Sequence, residues 1–145
     1  MSFETSISWL KITGALLVVI GAIFAWTTTG PAAIVSVLFV DIAVFPVDGA
    51  QSYDATETRL LAAIAGGLTA GIGAAIWMIA KHIYAEHPAV GRKIILTFVM
   101  IWFCVDSLGS ILSGAPVNVL LNLGLLVAMV LPLVWVQQSK VSVQI

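Results

Sequence analysis

Four long apolar runs, Trp9 to Trp26, Leu60 to Ala80, Ile94 to Leu112 and Val117 to Val136, limit what this chain can fold into more than any other feature. Each is close to the roughly 20 residues that carry an α-helix across a bilayer core. Lipid offers backbone groups no partner, so a spanning segment must close its hydrogen bonds within a helix or around a barrel. None of the runs alternates polar and apolar residues as barrel strands do. The pattern predicts an all-α polytopic membrane protein, a four-transmembrane-helix bundle forming one membrane domain over residues 1–145. Composition agrees, with 61% of residues hydrophobic and 9% charged, where a soluble domain carries about a quarter charged. The bilayer is the first expected partner. Six basic residues in a chain of net charge −1 provide no stripe that could neutralise a nucleic-acid backbone, so nucleic acid is not expected. A lone cysteine, Cys104, excludes an intrachain disulfide.

Basic residues set the expected orientation. In a four-span chain Lys11, Lys81, Arg92, Lys93 and Lys140 fall on one side and Arg59 alone on the other, which puts both termini in the cytoplasm. The Thr27–Thr58 connection, with Asp41, Asp48, Asp54 and Glu57, then faces outward. Lys11 before an apolar run could belong to a cleaved signal, but no small-x-small site follows and Glu4 balances the charge, so the first run is expected to stay. Ala32 to Val47 is interrupted by Asp41 and ended by Pro46, a length suited to an interfacial or re-entrant helix across the outer face.

Local punctuation refines this. Asp54-Ala-Thr-Glu57 has the form of a capping box opening the second span. Lys81 to Lys93 reads as a polar connection broken by Pro88 and Gly91, and Ser113-Gly-Ala-Pro116 as a tight turn with proline at the first position of the last helix. The last two spans should therefore form an antiparallel hairpin.

Two groups of residues are candidates for function. Ala63, Gly66, Gly67, Ala70, Gly71 and Ala74 give one broad, nearly side-chain-free face that includes the GxxxG pair Gly67 and Gly71. Such a face serves packing within the chain, self-association, or the seating of a pigment, in descending order of expectation. The second group surrounds Asp106, a carboxylate well inside a span, where an ionised aspartate costs about 2.5–3.5 kcal/mol on insertion scales. Ser110 shares its helical face, and Asn118 and Asn122 match Ser110 and Asp106 in depth on the next helix. A ladder of polar contacts between the two helices is expected, with Asp106 neutral or hydrogen-bonded to Asn122 or water. Arg59 leans away from Asp106 because helical side chains tilt toward their own N-terminus. With Asp41 it is assigned to the outer interface. His82 and His87, five apart beside Glu86, do not share a helical face, and no metal centre is expected.

The strings Phe45-Pro-Val-Asp-Gly-Ala-Gln51, Glu57-Thr-Arg-Leu-Leu-Ala-Ala-Ile-Ala-Gly-Gly67 and Trp102 to Asn122 resemble an uncharacterised family of small proteobacterial inner-membrane proteins. Some members carry a name taken from a DNA-repair excinuclease, which four spans and the absence of a nucleotide-binding loop make untenable. The resemblance implies a bacterial inner membrane and supplies no activity. With no catalytic constellation and nothing that calls for a cofactor, the leading expectation is a non-enzymatic accessory, assembly or interaction subunit acting by helix packing, in a homo-oligomer or a larger membrane complex. The alternative is a small proton- or ion-coupled transporter or channel using Asp106. An enzyme acting on a lipid or quinone would need Asp41, Asp48 or Asp106 to converge in one pocket.

Overall fold

The computed structural model describes residues 1–136; Lys140, counted above for orientation, lies outside them. Among the described residues there are five helices and no strand: α1 Phe3–Trp26, α2 Ala33–Val44, α3 Thr56–Ile79, α4 Pro88–Leu112 and α5 Asn118–Val134. α1, α4 and the α3 segment extended through Tyr84 are long and apolar enough to cross a membrane. α2, with 12 residues, and α5, with 17, are shorter. Large apolar side chains such as Leu68, Ile101, Val105 and Leu120 are more than half exposed on the outside of the bundle, a surface suited to lipid rather than water.

Several boundaries differ from the sequence reading. α1 starts six residues before Trp9, because the Ser2 hydroxyl accepts from the Thr5 amide and caps the helix. α3 has no capping box: its N-cap is Ala55 and no side chain caps it. Arg59 does the fastening instead, donating from Nη1 to the carbonyls of Tyr53 (2.9 Å) and Asp54 (2.8 Å) and from Nη2 to Thr56 Oγ1. The expected polar connection Lys81–Lys93 is mostly helical. α3 runs on through a π-turn over Ala80–Tyr84, and α4 begins at Pro88, whose missing amide costs nothing at a first helical position. The extra residue of the π-turn brings Tyr84 inside, against Gly91, where a Cβ would lie 2.5 Å from the Tyr84 Cα. α5 begins two residues beyond Pro116 rather than on it.

The tightest packing joins α1 to α3, antiparallel, through four glycines. A Cβ on Gly14 would lie 2.6 Å from the Gly73 carbonyl oxygen, and one on Gly66 would lie 2.5 Å from that of Gly21. Gly21 and Gly73 meet the reciprocal obstacles. In each helix the two glycines are seven residues apart, so both lie on one seam and the backbones touch. The GxxxG reading of α3 is thereby corrected. Gly66 and Ala70 face α1, Ala63 is half-buried, and Gly67, Gly71 and Ala74 are exposed, with nothing near the two glycines. The face was read as one, but at 100° per residue it is two.

α5 is stitched to α1 at the end of the bundle that carries Met1. Pro132 lacks an amide, which leaves the Ala128 carbonyl, four residues earlier, free of its helical partner. The Trp9 indole donates to that carbonyl at 3.0 Å. Buried Ser6 donates to the Pro132 carbonyl at 2.6 Å and so accepts from the Tyr84 hydroxyl at 3.1 Å. The Met1 ammonium reaches the Trp135 carbonyl at 2.9 Å, so the two described chain ends share one end of the bundle. The packed core of Leu10, Leu17, Ile76, Ile95, Val99, Met129 and Leu133 lies toward the same end.

Gly21→Ala and Gly66→Ala are expected to destabilise the fold by about 1–3 kcal/mol each through overpacking. Gly67→Ala and Gly71→Ala should be neutral or stabilise by up to about 1 kcal/mol through helix propensity. Unfolding in mixed micelles titrated with a denaturing detergent reads both, and equal effects at the two pairs would contradict the seam.

Candidate functional site

A polar-ended cavity occupies the bundle beyond the packed core, toward the α2 end. Its volume is ≈ 410 Å³, and all five helices line it. α4 supplies Phe98, Trp102 and Asp106, spaced by four along one face. α1 and α2 supply Phe24 and Phe39, whose rings pack with centroids 4.4 Å apart. α5 adds Asn118, Asn122 and Leu125, and α3 adds Thr69 and Ile72. Such a hollow, mostly apolar with a few convergent polar groups, has the anatomy of a small-molecule site.

The polar end follows from helix periodicity. Ser110, one turn beyond Asp106, is buried and donates to the Asp106 carbonyl at 2.9 Å. The Asn118 amide donates to Ser110 Oγ at 2.9 Å, joining α5 to α4. Asn122, 4% exposed, does not reach the Asp106 carboxylate; its amide lies 3.5 Å from Ser107 Oγ, a long contact. Ser107 was not among the candidates; one residue on from Asp106, it lies about 100° round the helix from the face that carries Asp106 and Ser110. Thr69 turns its hydroxyl to its own helix, donating to the Ala65 carbonyl at 2.8 Å. Among the described residues the Asp106 carboxylate has no protein donor, although it lines the same cavity as Asn118 and Asn122. It sits about 10 Å from the α4 terminus at 1.5 Å per residue.

The two residues assigned to the outer interface behave differently from each other. Arg59 holds the Tyr53–Thr56 backbone, as described above. Asp41 is 4% exposed: Oδ2 accepts from the Gly49 amide at 3.0 Å, while Oδ1 is buried without a partner. It anchors the turn that follows α2. Asp48 accepts from the Ala50 amide within that turn. Asp41, Asp48 and Asp106 therefore do not line one pocket. Arg59 and Tyr53 border a second hollow of ≈ 330 Å³ with Thr28, Thr29 and Gln51, and burial pushes the Tyr53 phenol above its ordinary value. His82 and His87 flank Glu86 on the surface, and no group of three or more metal-ligating residues occurs among the described residues.

The fold and site define an all-helical chain compatible with a membrane-embedded protein, with an internal cavity that carries a carboxylate. Compared with protein-family models, curated proteins and solved structures, the chain finds no match.

A double-mutant cycle on Asn118 and Ser110 is expected to give a coupling of about 0.6 to 1.7 kcal/mol, the range for interhelical polar pairs in membranes. The Asn122–Ser107 cycle should give less, and the reverse order would contradict the two distances. The Tyr53 shift has a sign that can be checked. The unfolded chain releases the phenolic proton first, so stability from this group is intact below about pH 10 and falls as pH rises beyond it. In a Tyr84→Phe chain, which retains Tyr53 as its one tyrosine, phenolate absorbance should appear above pH 10; half-ionisation at or below 10 in the folded protein would contradict the burial.

Proposed function

We propose that the protein works through this cavity, as a small proton- or ion-coupled transporter or channel whose coupling group is Asp106. The observation that carries the reading is the Asp106 carboxylate on the cavity wall, which among the described residues has no protein donor and is the sole titratable side chain in the lining. Intramembrane carboxylates on cavities are the groups that relay protons and pair with ions. The reading places the chain in a bacterial inner membrane, in line with the family resemblance, with four passes and both termini in the cytoplasm. Seventeen residues make α5 about 26 Å long, enough for a thin hydrocarbon core. The Met1–Trp135 contact supports an even number of passes, and the lysine and arginine asymmetry supports the side.

The interaction-subunit reading keeps one observation in its favour. α1 consumes Gly66, Ala70 and Gly73, but Gly67 and Gly71 remain open on the outside of α3, where a further helix could approach. The cavity weighs more, because it gathers groups from every helix, whereas two outward glycines are a weak signal.

The test uses liposomes holding the full chain, an entrapped pH-sensitive dye and an imposed pH gradient. With sodium, potassium or a quaternary ammonium salt outside, the wild-type chain should collapse the gradient faster than protein-free liposomes do. Asp106→Asn should return the rate to the protein-free value. Equal rates for the two chains with all three salts would remove the reading.

A further inference from the structure

We infer that the cavity is a binding site for a lipophilic organic cation, a protonated or quaternary amine carried on an apolar body, with Asp106 as its counter-ion. The inference rests on the reading of the cavity as the working site and names the ligand class that its walls select. Three features of the lining make that selection.

First, among the described residues no basic side chain lines the cavity, so an anion entering it would meet Asp106 with no cation beside it. Thr69 spends its hydroxyl on its own helix and Asn118 gives one amide hydrogen to Ser110, and the donors left in the lining, on Asn118, Asn122 and the Trp102 indole, are neutral and do not offset a like charge. The same argument rejects a phospholipid headgroup, whose phosphate would come with its amine. Second, among the described residues the Asp106 carboxylate has no protein donor, and a carboxylate on a mostly apolar wall is best matched by a positive charge. A neutral apolar occupant would leave it unmatched. Third, Phe24, Phe39, Phe98 and Trp102 bring four aromatic rings to the lining of the cavity. Aromatic faces attract cations, and quaternary ammonium groups are recognised in this way. Phe98 and Trp102 lie two turns and one turn before Asp106 on α4, so aromatic surface and carboxylate follow each other along one line. A volume of ≈ 410 Å³ falls within the range that takes a drug-sized body.

The experiment is equilibrium dialysis of tetraphenylphosphonium against the full chain in mild-detergent micelles, with protein-free micelles as the blank. Tetraphenylborate, nearly the same shape with the opposite charge, is run in parallel. The phosphonium should bind in excess of the blank and the borate should not. Asp106→Asn should weaken phosphonium binding about tenfold or more, the loss of one poorly solvated ion pair, and Asp106→Glu should restore part of it. Trp102→Leu, which leaves the carboxylate in place, should also weaken binding and supplies the test should Asp106→Asn fail to fold. Equal uptake of both ions by the protein, or phosphonium binding indifferent to both Asp106→Asn and Trp102→Leu, would overturn the inference. Charge-selective binding without any gradient collapse in the liposomes would sustain the inference and remove the transport reading. Asp106-dependent collapse with sodium or potassium, without phosphonium binding, would do the reverse.

Discussion

Contact between the backbones of α1 and α3 is the constraint on which the rest of the structure depends. Lipid is as apolar as the side chains of these helices, so burial alone gives them little reason to associate, and close van der Waals contact must supply it. Gly14 and Gly21 against Gly73 and Gly66 remove the side chains that would hold the axes apart. Cα–H to carbonyl contacts, each worth about 0.5–1 kcal/mol, become available at that distance. Once the two helices are locked, the remaining three must arrange around a rigid ribbon.

That arrangement is uneven. At the end carrying Met1, α1 meets α5 through Ser6, Trp9 and the carbonyls that Pro132 and Ala128 expose, and Tyr84 joins them through the π-turn. A proline that would be a defect in an isolated helix becomes the docking point, because its free carbonyl has a donor waiting. At the other end α4 and α5 are held to each other by Asn118 and Ser110. Among the described residues no hydrogen bond joins the two pairs at that end, where Phe39 of α2 joins the lining. Tight packing at one end and separate pairing at the other leave a hollow whose walls come from every helix.

Much of this was legible from periodicity and little of it from composition. The apolar runs carry the helices, Pro46 carries the end of α2, and the equal depths of Ser110 and Asn118 carry their contact. What escaped did so for physical reasons. The glycine seam repeats every seven residues across two helices, and inspection of α3 alone favours the four-residue pair Gly67 and Gly71, which belongs to the other face. Asp54 and Glu57 have the spacing of a capping box, yet Arg59 secures the same turn through backbone carbonyls, and nothing in local spacing ranks one solution above the other. Asp106, Asn118 and Asn122 at the polar end were legible, but the cavity itself was not, since Phe24, Phe39 and Phe98 come to line one hollow through tertiary packing alone. The i, i+4 relation of Phe98, Trp102 and Asp106 was available, but an aromatic ladder on an apolar helix reads first as core.

The same unevenness bears on why an aspartate stands at residue 106. Asn118 and Ser110 already join α4 to α5, and Asn122 reaches toward Ser107, so the interhelical link does not use the carboxylate. A side chain retained only as polar glue would be expected in a hydrogen bond across the interface. Asp41 is held at a turn, one oxygen accepting from the Gly49 amide while the other is buried without a partner. Asp106 instead lines a hollow large enough to admit a solute, which it shares with aromatic rings and, among the described residues, with no basic side chain. On the reading proposed above, a cation entering from outside the chain matches that charge, which makes the cavity and the carboxylate parts of one site rather than two separate features.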